Sequence, residues 1–137
     1  EFPSLDWFEA ARHVANDDPA FRALGSCDAS VGVKVGERVF QISFDGFQCA
    51  AVAEVDDDAL HDVDFYLELP SPRWQALIEN IRANAGADAD HTLNSLDLSE
   101  PEPVVKSQDT FGLNRFSQYH LTIQKYFDAA ASIDTTF

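Results

Sequence analysis

The sequence predicts an α+β fold in which an antiparallel sheet of four to five strands is covered by helices. Three observations carry that prediction. The first is a set of closely spaced alternations. Ala29, Val31, Val33 and Val35 alternate with smaller or polar residues, and Phe40, Ile42 and Phe44 repeat the pattern after the tight Gly36-Glu37 turn. Asp45-Gly46 marks a second hairpin into a third strand, 47–55, and Val63, Phe65, Leu67 and Leu69 then alternate with Asp64, Tyr66 and Glu68. A period of two with one apolar face describes an antiparallel sheet buried on one side. The second observation is the helix that follows, where Trp74, Leu77, Ile78 and Ile81 form a stripe able to cover that face. The third is size: 137 residues, 45% hydrophobic and 12% aromatic, make one domain, 1–137, with enough apolar surface for a real core.

The other elements follow from local signals. Ser4 caps a first helix, with Asp6 and Glu9 near the positive end of its dipole. Leu5, Phe8, Ala11 and Val14 form its stripe, and Trp7 stands at the edge. Asp18-Pro19 opens a short second helix, because proline is tolerated at the first helical position; Phe21 and Leu24 are expected inside, and Gly25 ends the turn. Residues 55–62 read as an exposed acidic loop. Pro70 ends the fourth strand, and Ser71-Pro72 restarts the chain as a helix with Ser71 as its cap. Residues 83–90 read as a loop, and 91–98 as a short helix with Leu93 and Leu96 inward. Glu100-Pro101-Glu102-Pro103 breaks regular structure, since alternating prolines exclude a helix interior. Val104-Val105 is expected to add a short edge strand. Asp109 or Thr110 then caps a long final helix with the stripe Leu113, Phe116, His120, Ile123 and Phe127, flanked by Tyr119, Tyr126 and Ala130.

Charge narrows the partners. Twenty-four acids against nine bases leave a net charge of −15. Such a surface repels phosphate backbones and anionic bilayers, so neither nucleic acid nor stable membrane insertion is expected. The plain reading of the sign is a solvated surface that aids solubility; a basic protein partner and adaptation to salt are the alternatives. No apolar run approaches the ~18 residues of a membrane span, and no signal-peptide pattern opens the chain. Cys27 and Cys49 are too few for a disulfide framework and are expected to be buried thiols, which fits a cytoplasmic setting. The chain holds no Met, so a native start further upstream is expected.

Candidate chemistry is sparse. Asp56, Asp57, Asp58, His61, Asp62 and Asp64 lack the spacing and terminal Glu of a calcium loop, and His61 alone cannot make a zinc site. No metal and no cofactor are expected. His13, His61, His91 and His120 are scattered, and only His120 falls within an apolar stripe. There it is either a satisfied boundary residue or a polar contact and base near neutral pH. A nucleophile elbow, a P-loop and a dinucleotide fingerprint are all missing, and Ser26-Cys27-Asp28 has no identifiable base. No catalytic residue is assigned, which favours a binding module over an enzyme.

The order of helix, short helix, four strands, helix, loop and final helix resembles the SCP2 sterol-carrier-like family. The matching stretches are S-V-G-V-K-V-G at 30–36, V-F-Q-I-S-F-D-G at 39–46, D-V-D-F-Y-L-E-L at 62–69 and S-P-R-W-Q-A-L-I at 71–78, with the opening L-D-W-F-E-A-A. The similarity spans residues 4–82. Beyond it, E-P-V-V-K-S-Q-D stands where the family has a glycine-bounded apolar strand ending in Gly-Asp. The resemblance implies a helix-covered sheet enclosing a hydrophobic small molecule, lipid-like in character. Trp74, Leu77, Ile78 and Ile81 would line one wall, and Phe116, Tyr119, His120, Ile123 and Phe127 the other. Two alternatives stand beside this expectation. One is a protein-interaction domain or accessory subunit of an enzyme, or a homo-oligomer, whose aromatic surface is covered by protein. The other is a cone-shaped α+β enzyme of the ketosteroid-isomerase kind.

Overall fold

The computed structural model describes residues 1–88, 91–99, 103–108 and 110–137. Five strands form one sheet in the order β3-β2-β1-β4-β5. β1 (Ala29–Val35), β2 (Arg38–Asp45) and β3 (Gln48–Val55) are the meander that the alternation predicts, turning at Gly36 and Gly46, both with positive φ. β5 (Val105–Lys106) pairs antiparallel with β4 (Phe65–Leu69), close to the expected edge strand. One pair departs from the antiparallel expectation: β4 runs parallel to β1, in register Val31 with Phe65 through Val35 with Leu69. A period-two pattern is blind to strand direction.

That parallel pair dictates the connection before it. The chain leaves β3 at the sheet edge and must cross β2 and β1 to reach β4, which it does through a 3-10 turn at Asp57–His61. Leu60 of this turn lies over Gly32, where a Cβ would meet its Cδ2 at 2.5 Å and the Tyr66 Cβ at 2.8 Å. Glycine is therefore required inside β1 by close approach. Val39, Leu60 and Val63 form a small second core there, with Val55 and Tyr66 packed against it. Val63 thus belongs to the sheet's outer side, not to the face shared by Phe65, Leu67 and Leu69. Asp64 is half-buried and bonded, its carboxylate accepting from the Ser30 N–H at 2.8 Å.

Helices cover the opposite face. α1 (Leu5–Asp17) is capped by the Ser4 side chain, which accepts from the Trp7 N–H. Its buried residues are Trp7, Phe8, Ala11 and Ala15, whereas Leu5 is exposed and Val14 only partly covered, so the stripe is rotated toward Trp7. Asp18 caps α2 (Pro19–Arg22); Phe21 is buried and Leu24, expected inside, is exposed. α3 (Ser71–Asn84) begins at Ser71 itself, after Pro70, with no side-chain cap, and outlasts its expected end at residue 82 before Ala85 closes it in the left-handed region. α4 (Leu93–Ser99) buries Leu93 and Leu96 as expected. The break at 100–102 and the cap at Asp109 lie outside the described residues. α5 (Thr110–Asp128) buries Phe116, Ile123, Tyr126 and Phe127, while Leu113 is exposed. A second 3-10 turn, Ala129–Ser132, follows.

The free edge of the sheet and the chain ends are both tied. Asn16 of α1 clamps β3, its amide donating to the Cys49 carbonyl at 3.0 Å and its oxygen accepting from the Cys49 N–H at 2.8 Å. One extra residue, Ala50, bulges beside that clamp, between Cys49 and Ala51. The Phe2 N–H donates to the Thr136 carbonyl at 2.7 Å, and the Phe2 and Phe137 rings lie 6.2 Å apart.

Candidate functional site: the aromatic layer between sheet and helices

The two expected walls face each other across the middle of the molecule. Trp74, Leu77, Ile78 and Ile81 project from α3 with 1% exposure or less. Their i, i+3, i+4, i+7 spacing puts them on one helix face, turned to the sheet. The Trp74 indole N–H donates to the Lys34 carbonyl at 2.9 Å, which fixes the ring over β1. From α5, Phe127 stacks on Trp74 with centroids 5.5 Å apart, and Phe116 stands edge-on to Phe65 at 5.6 Å. Ile123 is fully buried between them in sequence. Tyr119 and His120 are half-buried at the margin, the His120 ring 6.0 Å from Phe116. The structure therefore brings the two walls into direct contact at Trp74 and Phe127 and leaves two polar-tipped rings at the border.

The layer is larger than the sequence reading drew it. Phe2, Trp7 and Phe8 belong to it: Phe2 is 4.8 Å from Trp7, and Phe8 stacks on Phe40 of β2 at 4.4 Å. Tyr126, expected as a flank of α5, is fully buried and donates its hydroxyl to the Phe8 carbonyl at 2.8 Å. The i, i+3, i+7 rule placed Trp7 at the stripe's edge, but a ring of that size reaches the core from an oblique position. Burial holds the Tyr126 hydroxyl protonated, well above the usual phenol range.

The polar border of the layer is built from side chains. Gln124, buried on α5, accepts from the Leu93 N–H at 2.7 Å and donates to Asp128 at 2.9 Å, and Asp128 accepts from the Ala87 N–H at 3.2 Å. This chain of bonds holds the start of α4 against α5. A gap of about 30 Å³ lies between α3 and α4, bordered by Arg73, Ala76, Leu77, His91 and Leu96. It accommodates a water molecule but not a lipid.

The architecture invites comparison with known folds. No protein-family model matches the sequence, and no curated protein matches it at a significant level. Among solved structures, the chain is similar to the crystal structure of sterol carrier protein 2, with a TM-score of 0.70 over 98% of this chain and 100% of that one, at 16% identity. The fold is SCP2-like. The residues after 82, where the sequence pattern departs, are included in that likeness, because it extends over nearly the whole chain.

Within this SCP2-like fold the other candidate groups are held in local bonds. His61 meets Gln108 at 2.9 Å, Lys34 pairs with Asp57 at 2.9 Å, and His91 bonds Asp88 at 2.7 Å. Among the described residues no three His, Cys, Asp or Glu side chains converge as a metal site would require. Also among them, no helix is long and apolar enough to cross a membrane. Cys27 and Cys49 are both free and buried. Loss of solvation pushes each thiol up to about 12, with Asp28 adding to the rise at Cys27. Neither is a nucleophile at neutral pH. Both thiols should stay silent to a thiol reagent in the native protein and react once denaturant unfolds it. The sign for stability follows from the raised values. The contribution is complete below the ordinary thiol range and is lost as pH climbs from there toward about 12. A melting temperature that held steady through that alkaline window would contradict the burial.

Proposed function

We propose that this chain binds an apolar, lipid-like small molecule between its sheet and its helices. The observation that carries the reading is the SCP2-like fold over nearly the full chain, since the protein that shares it is named as a sterol carrier. Trp74, Leu77, Ile78 and Ile81 form one wall of the proposed site. Phe116, Tyr119, His120, Ile123 and Phe127 form the other. The walls touch through Trp74 and Phe127, so a ligand enters by parting them. Half-buried Tyr119 and His120 supply polar contacts at the rim, in keeping with a mostly apolar pocket that fixes its ligand through a few polar groups. The seam between α3 and α4 is the proposed entrance, because α4 has only seven residues and its gap reaches Leu77. A helix that short owes its stability to tertiary contacts, so it is displaced more easily than the long helices α3 and α5 on either side of the site.

Native mass spectrometry of gently purified protein, with titration of an apolar fluorescent probe, tests the reading. One ligand per chain is expected. Ala76→Trp, at an exposed seam position, should weaken probe binding about tenfold or more while leaving the melting temperature unchanged. A wild-type chain that carries no lipid and takes up no probe would sink the proposal.

A further inference from the structure

α5 is unusual for its surface. From residue 110 to 127 it carries Arg115, His120 and Lys125 and not one acid, in a chain that has 24. Its solvent side instead presents large apolar groups: Phe111 is 79% exposed, Leu121 60% and Leu113 45%. Between Phe111 and Leu121 stand exposed Asn114 and Gln118. The spacing i, i+3, i+7, i+10 keeps these four on one face over roughly 15 Å of helix. The cations sit on the flank beside nearby acids. Arg115 donates to the Asp28 carbonyl, and Lys125 lies 3.6 Å from Asp18.

We infer that this face of α5 joins a second copy of the chain, the two helices packing antiparallel about a two-fold axis that crosses the exposed face at the level of residue 116. Two features on the helix select a second copy over other occupants. Phe111 and Leu121 lie five residues on either side of position 116, and Asn114 and Gln118 lie two residues on either side. An antiparallel pair about that point sets Phe111 of each copy against Leu121 of the other, and Asn114 against Gln118, where the amides can exchange hydrogen bonds. A self-complementary patch is what a two-fold interface requires. Charge points the same way. Two bodies of net charge −15 repel each other, and a helix face made of residues 110–127 brings no carboxylate of its own to the contact.

Sedimentation analysis of the whole chain across a concentration series tests the inference. A monomer–dimer equilibrium is expected, tightening as salt is raised because the remaining repulsion is screened. Leu121→Asp and Phe111→Asp should each weaken the dimer about tenfold or more. Both sites are exposed, so melting temperature and circular dichroism should not change. Phe47→Asp, at the exposed turn between β2 and β3, should leave the dimer intact. A wild-type chain that stays monomeric at all concentrations and salts would overturn the inference. A dimer that survives both α5 variants would do the same. So would a monomer that floats with neutral phosphatidylcholine vesicles through Phe111 and Leu121, which would assign the face to a lipid surface.

Discussion

Trp74→Ala is expected to lower the unfolding free energy by about 3–5 kcal/mol. The ring has no exposure, it carries the stack between α3 and α5, and its indole N–H donates to the Lys34 carbonyl near the end of β1. Truncation removes the contacts on both sides of the ring and leaves that carbonyl without its donor. A domain of this size has about 5–15 kcal/mol in all, so a large part of the population should unfold at moderate denaturant. Trp74→Phe separates the two contributions. It keeps an aromatic ring against Phe127 and loses the hydrogen bond, so it should cost about 1–3 kcal/mol. Equilibrium urea unfolding of the three proteins measures both differences. A loss under about 1 kcal/mol for Trp74→Ala would mean that the layer is loosely packed and collapses around the missing ring.

Gly112→Ala should cost nearly as much for the opposite reason, too much matter in too little space. A Cβ at Gly112 would stand 1.8 Å from the Ser107 Oγ, 2.0 Å from the Asp64 carbonyl oxygen and 2.7 Å from the Ser107 Cβ. The Ser107 hydroxyl already donates to that same carbonyl at 2.9 Å. The methyl group therefore has to break this bond and push the start of α5 away from β4. Overpacking of this kind costs about 1–3 kcal/mol, and more where backbone must move. Ser107→Gly in the same chain should recover part of the loss, since it removes two of the three clashes and leaves the one with backbone. Hydrogen exchange should localise the damage to the first turns of α5. Full stability in Gly112→Ala would refute the close approach.

These two positions also mark what sequence reasoning reaches and what it does not. Trp74 was legible because a helix stripe after a strand has few places to point, and the stripe Trp74, Leu77, Ile78, Ile81 is buried to the last residue. Gly112 was not, because the Asp64 carbonyl it approaches is distant in sequence and nothing in the pattern folds Ser107 back under the first turn of the helix. The strand alternation located β1, β2 and the inward residues of β4, yet side-chain period says nothing about whether β4 runs with or against β1. The clue to the crossover was Gly32, a lone glycine among alternating valines, which signals close approach of another segment. It also explains why Val63 continues the alternation in sequence but packs with Leu60 on the other side. On the helices, the errors at Leu5, Leu24 and Leu113 share one cause. A leucine at helical spacing is compatible with core and surface alike, and beside Leu5 the larger ring of Trp7 took the interior. Of the nine wall residues, seven have 4% exposure or less and two stand at the border. Sequence could not distinguish a packed layer from a lined cavity, because both are made of the same side chains.

The bond between Phe2 and Thr136 has a topological consequence. When the two ends of a domain sit side by side, any polypeptide continuing from them departs and returns at one point. Such a domain hangs from a larger chain as a pendant on a single stalk, where a domain with distant ends would sit as a bead along the string. The same adjacency makes the order of its elements along the chain a matter of convention. A short linker across the Phe2–Thr136 junction closes the chain into a ring, and the exposed turn at Phe47 is where that ring can be reopened with the fold kept.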